Sequence, residues 1–174
     1  MKKEKIEKTN AMRLLDRAGI PYRVHTYPHG DGPSLGVDVA AHLQIDPAMV
    51  FKTLLCVSLK KQYYVFVVPS NAELDLKKCA KAVKAKSVEL IPVKEINQVS
   101  GYVRGGCSPL GMKKTYVTVF DLTCLRFDTI VFRAGKIGYQ IETPQGELFY
   151  RAQLKEQCYE NEALRKRFVL HFFG

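Results

Sequence analysis

The run Leu54-Leu55-Cys56-Val57-Ser58, followed after Lys60-Lys61 by Tyr63-Tyr64-Val65-Phe66-Val67-Val68, decides the fold. Both runs are apolar and contain the β-branched and aromatic residues that favour strands. The two lysines between them lie where a turn is needed. The sequence therefore predicts a β-hairpin with strands over residues 54–58 and 63–68.

Further elements are predicted on both sides of this hairpin. A helix over residues 9–16 can be capped by Thr9 or Asn10 and ended by Gly19, and two more helices fit residues 37–43 and 74–83. Alternating or apolar runs predict strands at 22–27, 87–90, 116–120, 130–132 and 139–142. Prolines and glycines predict a loop at 28–33, and the tail from Ala152 is predicted to be helical. The expected class is mixed α/β or α+β with a largely mixed sheet.

Composition limits the classes of protein to which the chain can belong. Its 174 residues suit one domain, and 27 Lys plus Arg against 17 Asp plus Glu give a net charge of +10. That excess favours a polyanionic partner, most commonly a nucleic acid. Neither a secretory signal nor a run long enough to cross a membrane is seen, so we expect a cytoplasmic protein with no membrane partner.

The cysteines favour neither metal nor disulfide chemistry. Five of them are widely spaced and none forms a CxxC pair, so a zinc knuckle or a thioredoxin-type motif is not expected. Most are expected to be buried, reduced and inert. We expect no metal site and no cofactor.

A glycine–proline loop is the first candidate site. Gly105-Gly106-Cys107-Ser108-Pro109-Leu110-Gly111 lies between strand-like regions, with Arg104 before it and Lys113-Lys114 after it. Paired glycines allow backbone N–H groups to approach a ligand closely, and Pro109 would stiffen the loop. The alternative is a tight turn that needs positive φ. The basic flanks favour a binding loop.

Lys52 is the second candidate, because it is a lysine inside the otherwise apolar run Val50-Phe51-Lys52-Thr53-Leu54-Leu55-Cys56-Val57. A lysine at a solvent-facing position would need no explanation. Its neighbours on the same strand face, Leu54 and Cys56, are apolar, which argues that Lys52 faces the interior or a pocket. There it can donate to a carbonyl or phosphate oxygen. The histidines show no partner at a spacing typical of a catalytic triad, so a histidine-based site is not predicted.

Taken in order, these residues resemble a known family. Phe51-Lys52-Thr53-Leu54, Leu74-Asp75-Leu76-Lys77-Lys78, Gly101-Tyr102 with the 105–111 loop, and Ala134-Gly135-Lys136 are similar to the YbaK family. Its members are bacterial trans-editing aminoacyl-tRNA deacylases related to the editing insertion of prolyl-tRNA synthetase. The resemblance covers roughly residues 9–150 and implies a curved, barrel-like mixed sheet with flanking helices. We therefore expect a deacylase domain over residues 1–150 and a helical C-terminal extension over 151–174 packed on it.

The resemblance also implies a substrate and a site. The substrate would be a mischarged aminoacyl-tRNA such as Cys-tRNA(Pro), selected in a ternary complex with prolyl-tRNA synthetase where needed. The substrate's own thiol would attack its ester, so no protein nucleophile is required. Lys52 would be the catalytic lysine, and the substrate-binding residues would be Tyr27, Leu35, Thr53, Gly105, Gly106, Cys107, Ser108, Pro109, Gly111, Arg133 and Gln140.

Three of these positions depart from the family pattern. Arg133 replaces a pocket serine, Gln140 replaces an acidic residue, and Leu35 stands where an aromatic residue is common. Arg133 would either add positive charge to the pocket or point away from it. The alternatives are therefore a deacylase of altered amino-acid specificity, or a non-catalytic tRNA- or synthetase-binding module.

Overall fold

The structure is a computed structural model that describes residues 5–28, 35–151, 155–157 and 167–170. The helices in these ranges are α1 (Asn10–Ala18), α2 (Gly36–Leu43), α3 (Leu76–Ala82), α4 (Ile96–Ser100) and α5 (Gln145–Arg151). The strands are β1 (Arg23–Thr26), β2 (Phe51–Ser58), β3 (Tyr63–Pro69), β4 (Val88–Leu90), β5 (Val117–Phe120), β6 (Thr129–Arg133), β7 (Tyr139–Pro144), β8 (Lys155–Gln157) and β9 (Arg167–Leu170).

The strands form two sheets that meet at one point. The larger sheet has the order β4-β2-β3-β5-β9-β8 and the smaller one the order β1-β7-β6. The β2–β3 hairpin is antiparallel, as predicted, whereas β3 and β5 are parallel. A parallel bridge between Val50 and Val131 joins the start of β2 to β6. The predicted mixed α/β class, with a mixed sheet, is confirmed.

The two faces of β2 belong to different cores because successive side chains of a strand point to opposite faces. Phe51 and Leu55 lie in the main core with Met12 and Leu15 of α1. Cys56, on the other face, packs in a second core with residues of α3. Helix α1 and helix α3 therefore cover opposite faces of the larger sheet.

Helix α1 begins as the sequence predicts, and its first residues also fix a turn of the site. The side chain of Thr9 accepts a hydrogen bond from the Met12 N–H at 3.3 Å, and Gly19 ends the helix in the left-handed conformation. The Thr9 hydroxyl also donates to the carbonyl of Ala134, which follows β6. One N-terminal residue thus caps α1 and holds the turn that connects β6 to β7.

The prediction of a helical tail is wrong at the residues described beyond Arg151. Residues 155–157 and 167–170 form the antiparallel pair β8–β9, and β9 pairs with β5. Without β9, the backbone N–H and C=O groups at one edge of β5 would have no strand to pair with. Pairing with this edge outweighs the local helical pattern of the tail. Leu154, Cys158 and Leu164, on which the helix prediction relied, lie outside the described residues, as does most of the predicted 28–33 loop.

Among the residues that the structure describes, none of the helices has the length and apolar character needed to span a membrane.

Candidate functional site

Lys52 lies beside the bridge that joins the two sheets. It is half-buried and comes two residues after Val50, whose side chain packs with Val131 and Ala40. Since side chains alternate along a strand, Lys52 shares a face with Val50, and Arg133 shares a face with Val131. The parallel bridge therefore puts Lys52 and Arg133 on the same side of adjoining strands. The prediction that Lys52 faces the interior or a pocket stays a prediction.

Arg133 connects three of the predicted site elements. Its guanidinium donates to the Tyr27 hydroxyl at 3.1 Å and also to the backbone carbonyl of Gly105. We call Arg133, Tyr27 and Gly105 the Arg133 cluster. Tyr27 is buried and Arg133 is half-buried. Arg133 therefore puts positive charge against the loop, rather than away from it.

The glycines of the 105–111 loop are explained largely by the packing of the chain on itself. A Cβ on Gly106 would lie 3.2 Å from backbone atoms of Lys136 and Ile137. Gly111 has φ +71°, and a Cβ there would lie 2.8 Å from the carbonyl carbon of Asn10. At these two positions the close approach is made to other parts of the chain, so the loop is held between α1 and the turn that follows β6.

The interior residues of the loop are buried. Ser108 and Pro109 are buried, and the Ser108 hydroxyl accepts a hydrogen bond from the Leu110 N–H at 3.3 Å. Burial raises the pKa of the Cys107 thiol to about 11, although Ser100 and Arg133 act in the opposite direction. The thiol is therefore protonated at neutral pH and is a poor nucleophile.

Two buried acceptors lack partners. The side-chain oxygens Gln140 Oε1 and Thr53 Oγ1 have no hydrogen-bond partner among the described residues. Gln140 is paired with Arg133 across β7 and β6, so both lie on one face. Thr53 follows Lys52 and points to the opposite face, toward the core that contains Phe51. A buried acceptor left unpaired costs about 1–3 kcal/mol.

Leu35 is separate from the Arg133 cluster in the described contacts. It precedes α2 and is 68% exposed. The adjacent Gly36 packs against Ser70, which follows β3, and a Cβ at Gly36 would lie 2.5 Å from the Ser70 Cβ. Leu35 therefore lies on the α2 side of the bridge, near the end of β3 that is paired with the start of β2.

Sequence reasoning missed a His–Glu pair on the smaller sheet. His25 Nε2 lies 2.8 Å from Glu142 Oε1, and the Thr129 hydroxyl donates to Glu142 Oε2 at 2.8 Å. Burial acts to raise the pKa of Glu142, but the hydrogen bonds from His25 and Thr129 outweigh it and lower that pKa. His25 is also the cross-strand neighbour of Gln140. The spacing in the sequence gave no signal, because this contact depends on the register of β1 against β7.

No group of three or more His, Cys, Asp or Glu side chains that could hold a metal ion occurs within the described ranges. The chemistry on which the site can draw is that of two cationic side chains, a buried amide oxygen and the backbone of a rigid loop. Such a set can orient a carbonyl compound and stabilise developing negative charge.

This fold and this site define an aminoacyl-tRNA editing domain, and the model of that family matches residues 29–149. A protein of Enterococcus faecalis, provisionally named Cys-tRNA(Pro)/Cys-tRNA(Cys) deacylase EbsC, is 41% identical over 141 residues, which are 81% of this chain and 86% of that protein. The chain therefore belongs to the aminoacyl-tRNA editing family, and the family predicted from the sequence is confirmed.

Solved structures show the same fold at lower identity. One, described as hypothetical protein APE2540, has a TM-score of 0.74 at 20% identity and covers 82% of this chain and 93% of its own. Another, provisionally described as a trans-editing enzyme for prolyl-tRNA synthetase, has a TM-score of 0.71 at 20% identity and covers 82% of this chain and 88% of its own.

Proposed function

We propose that this chain is a trans-editing deacylase that removes a wrongly attached amino acid, cysteine in particular, from the 3′ end of a tRNA such as tRNA(Pro). The observation that carries the proposal is that Lys52, Arg133 and the unpaired oxygen of Gln140 share one side of adjoining strands, next to the 105–111 loop. Family membership supports the same activity.

Each of the three side chains has a role suited to an aminoacyl ester. Lys52 is the catalytic residue and donates to the ester carbonyl oxygen, on which negative charge develops. Arg133 holds the loop and adds positive charge next to that oxygen. The oxygen of Gln140 accepts a hydrogen bond from the α-ammonium group of the amino acid, which supplies the donor that this buried atom lacks.

The nucleophile in this proposal is the thiol of the substrate. Its sulfur attacks the ester carbonyl carbon, the bond from that carbon to the ribose oxygen breaks, and the ribose oxygen takes up a proton. The product is a cyclic thioester that water then opens. Nearby positive charge favours the thiolate of the substrate, whereas the protein's own Cys107 is kept protonated by burial. The main contribution of the enzyme is then to orient the substrate thiol toward the ester carbonyl carbon.

The remaining predicted residues complete the pocket in this proposal. Tyr27 borders the amino-acid side chain from the Arg133 cluster and Leu35 borders it from the α2 side, while Thr53, whose side chain points to the opposite face, supports the position of Lys52 from the core. The loop positions Gly105, Gly106, Cys107, Ser108, Pro109 and Gly111 form the wall against which the aminoacyl end lies. The bridge from Val50 to Val131 supports treating the two sheets as one curved, barrel-like sheet around this pocket.

We propose the same domain organisation and setting as the sequence suggested. Residues 1–150 form the deacylase domain, supported by a family match that ends at residue 149, and residues 151–174 form an extension packed on it. The protein acts in the cytoplasm. Prolyl-tRNA synthetase joins the protein and the tRNA in a ternary complex, which would supply selection of the tRNA.

The test is a single-turnover deacylation assay with Cys-tRNA(Pro), alongside Ala-tRNA(Pro) and Pro-tRNA(Pro). The wild-type protein is expected to release cysteine fastest. Lys52→Ala is expected to lower that rate roughly 10²–10³-fold, because it removes one donor to the developing oxyanion. Lys60→Ala, at an exposed turn position, is the matched control and should keep full activity.

Thermal unfolding of both variants shows whether they remain folded. Full activity in a folded Lys52→Ala variant would contradict the role of Lys52. Binding of tRNA without release of any amino acid would favour a non-catalytic module, and preferred release of another amino acid would show altered specificity.

A further inference from the structure

Five lysines lie on the outer face of α3 and in the turn after it. Lys77, Lys78, Lys81, Lys84 and Lys86 are all exposed. No aspartate or glutamate occurs between residues 76 and 86. We call these five residues the lysine surface. The opposite face of the helix, with Cys79, Ala80 and Ala82, is buried against the sheet.

The lysine surface lies on the same face of the larger sheet as Lys52. Cys79 and Ala80 of α3 pack in the core that contains Cys56 of β2. Cys56 and Lys52 are an even number of residues apart on one strand, so both point to this face. The lysine surface and the proposed catalytic lysine are therefore not separated by the sheet.

The lysine surface also extends along β2, from the end that carries Lys52 toward the end that carries Ser58. Lys78 at its start borders a cavity that Val68, Glu73, Asp75 and Asp121 also line, and Val68 is paired with Lys52. Lys86 at its end is two residues before Val88, which is paired with Ser58 at the far end of β2. The distance along β2 from Lys52 to Ser58 is about 20 Å at roughly 3.3 Å per residue. That length can follow several successive phosphates of one strand of a duplex.

The backbone at Lys84 allows the contribution of its side chain to be tested apart from that of the helix. The Ala85 N–H donates to the Ala80 carbonyl at 2.9 Å and the Lys84 N–H to the Lys81 carbonyl at 3.2 Å. This is the Schellman pattern, and Lys84 holds its left-handed position with φ 56°. Glycine adopts that conformation at lower cost, so a lysine there is kept at some expense of stability.

We propose that the lysine surface binds the phosphates of the tRNA acceptor stem, with the 3′ end leading to Lys52. This inference rests on the proposed function, since it takes tRNA to be the substrate. Lysines bind phosphates as point charges and give affinity without reading sequence. A surface of this kind would supply binding energy, while discrimination among amino acids stays in the pocket.

The first experiment measures the affinity of the full chain for an unacylated tRNA(Pro) acceptor-stem hairpin ending in CCA, over a range of salt concentrations. The double variant Lys77→Gln/Lys81→Gln is expected to bind roughly 10-fold more weakly and to reduce the slope of log affinity against log salt by about 2. Arg13→Gln/Arg17→Gln on α1 removes the same charge from the opposite face and should leave the affinity unchanged. Equal effects of the two double variants, or no effect of the first, would overturn the proposal.

A second variant separates a binding role from a structural one. Lys84→Gly should raise the melting temperature of the protein, because glycine suits the left-handed backbone. The same variant should bind the acceptor-stem hairpin about threefold more weakly. Gln44→Gly is the matched control, since Gln44 also has φ 56°, at the end of α2. It should raise the melting temperature with unchanged affinity. Unchanged affinity in Lys84→Gly would contradict a phosphate contact at Lys84.

Deacylation kinetics distinguish failure of this inference from failure of the proposed function. The lysine variants should raise KM for Cys-tRNA(Pro) with unchanged kcat, as expected for binding made equally in ground and transition states. If the wild-type protein shows no deacylation, the proposed function fails, but the hairpin measurements still decide the lysine surface. A fall in kcat without a rise in KM would contradict the placement of the surface away from the reacting atoms.

Discussion

The Arg133 cluster and the lysine surface are both positively charged, but they hold their charge in different ways. Arg133 is half-buried and its guanidinium is committed to Tyr27 and Gly105. The lysines of α3 are exposed, and the helix is held by its other face. Charge in the first region therefore fixes geometry, whereas charge in the second lies at the protein surface. Substitutions in the Arg133 cluster should lower the stability of the protein and kcat. Substitutions in the lysine surface should lower only the affinity for tRNA.

The largest expected effect on stability is at Gly111. Alanine there is expected to lower the free energy of unfolding by about 3 kcal/mol, because the left-handed backbone is costly for alanine and its Cβ would meet the backbone of Asn10. Chemical denaturation measures the change. Gly146→Ala, in open space within α5, is the control and should be neutral or stabilise by up to about 1 kcal/mol. Equal stability of the two variants would show that the loop is not held by close packing.

Arg133→Ser, which introduces the residue that the sequence resemblance implies at this position, is expected to have the next largest effect. The carbonyl of Gly105 and the hydroxyl of Tyr27 lose a charged donor, which should cost about 2 kcal/mol of stability. Loss of loop position should also lower kcat for deacylation. Lys81→Ser on the lysine surface should leave both stability and kcat nearly unchanged. An Arg133→Ser variant with wild-type stability would show that the cluster does not hold the loop.

Replacing Gln140 by leucine should have opposite effects on stability and on binding. Removal of a buried, unpaired acceptor should raise stability by up to about 1 kcal/mol. The same change should raise KM for Cys-tRNA(Pro) roughly tenfold or more, since a hydrogen bond to a charged group contributes about 1.5–3 kcal/mol. Denaturation and steady-state kinetics measure the two effects. Lower stability together with unchanged KM would mean that the oxygen has a structural partner and no substrate contact.

The smallest effect is expected at Glu142 and depends on pH. The pKa of Glu142 is lowered in the folded protein, so its contribution to stability is present above the ordinary value of 4.5 and is lost as pH falls through the lowered value. The wild type should therefore be more stable than Glu142→Gln at pH 7, and this advantage should shrink in acid. Melting temperatures from pH 7 down to about 3 test the sign. A difference independent of pH would exclude an ionised Glu142 as its source.

The parts of the fold that depend on local pattern could be predicted, and the parts that depend on register could not. The hairpin and the Thr9 cap of α1 follow from neighbouring residues, and the structure has both. The tail was predicted wrongly, because pairing of β9 with the edge of β5 is a long-range contact.

The same distinction applies to the site. Tyr27 and Arg133 were selected through the family resemblance and Gly105 through its place in the glycine–proline loop, and the structure brings the three together. The sequence could not indicate that Gly106 and Gly111 pack against the chain itself, or that His25 meets Glu142, since both depend on how distant segments align. The roles of the site residues in catalysis stay predictions.

The most direct test of the account compares the release of cysteine and of S-methylcysteine from tRNA(Pro), by the wild type and by Cys107→Ala. If the thiol of the substrate is the nucleophile, both proteins should release cysteine at similar rates. Blocking that thiol should then lower the rate by roughly 10² or more in each, since the attacking group is lost. Release of S-methylcysteine by the wild type at the cysteine rate, with loss of activity in a folded Cys107→Ala variant, would contradict the account and assign the attack to the protein.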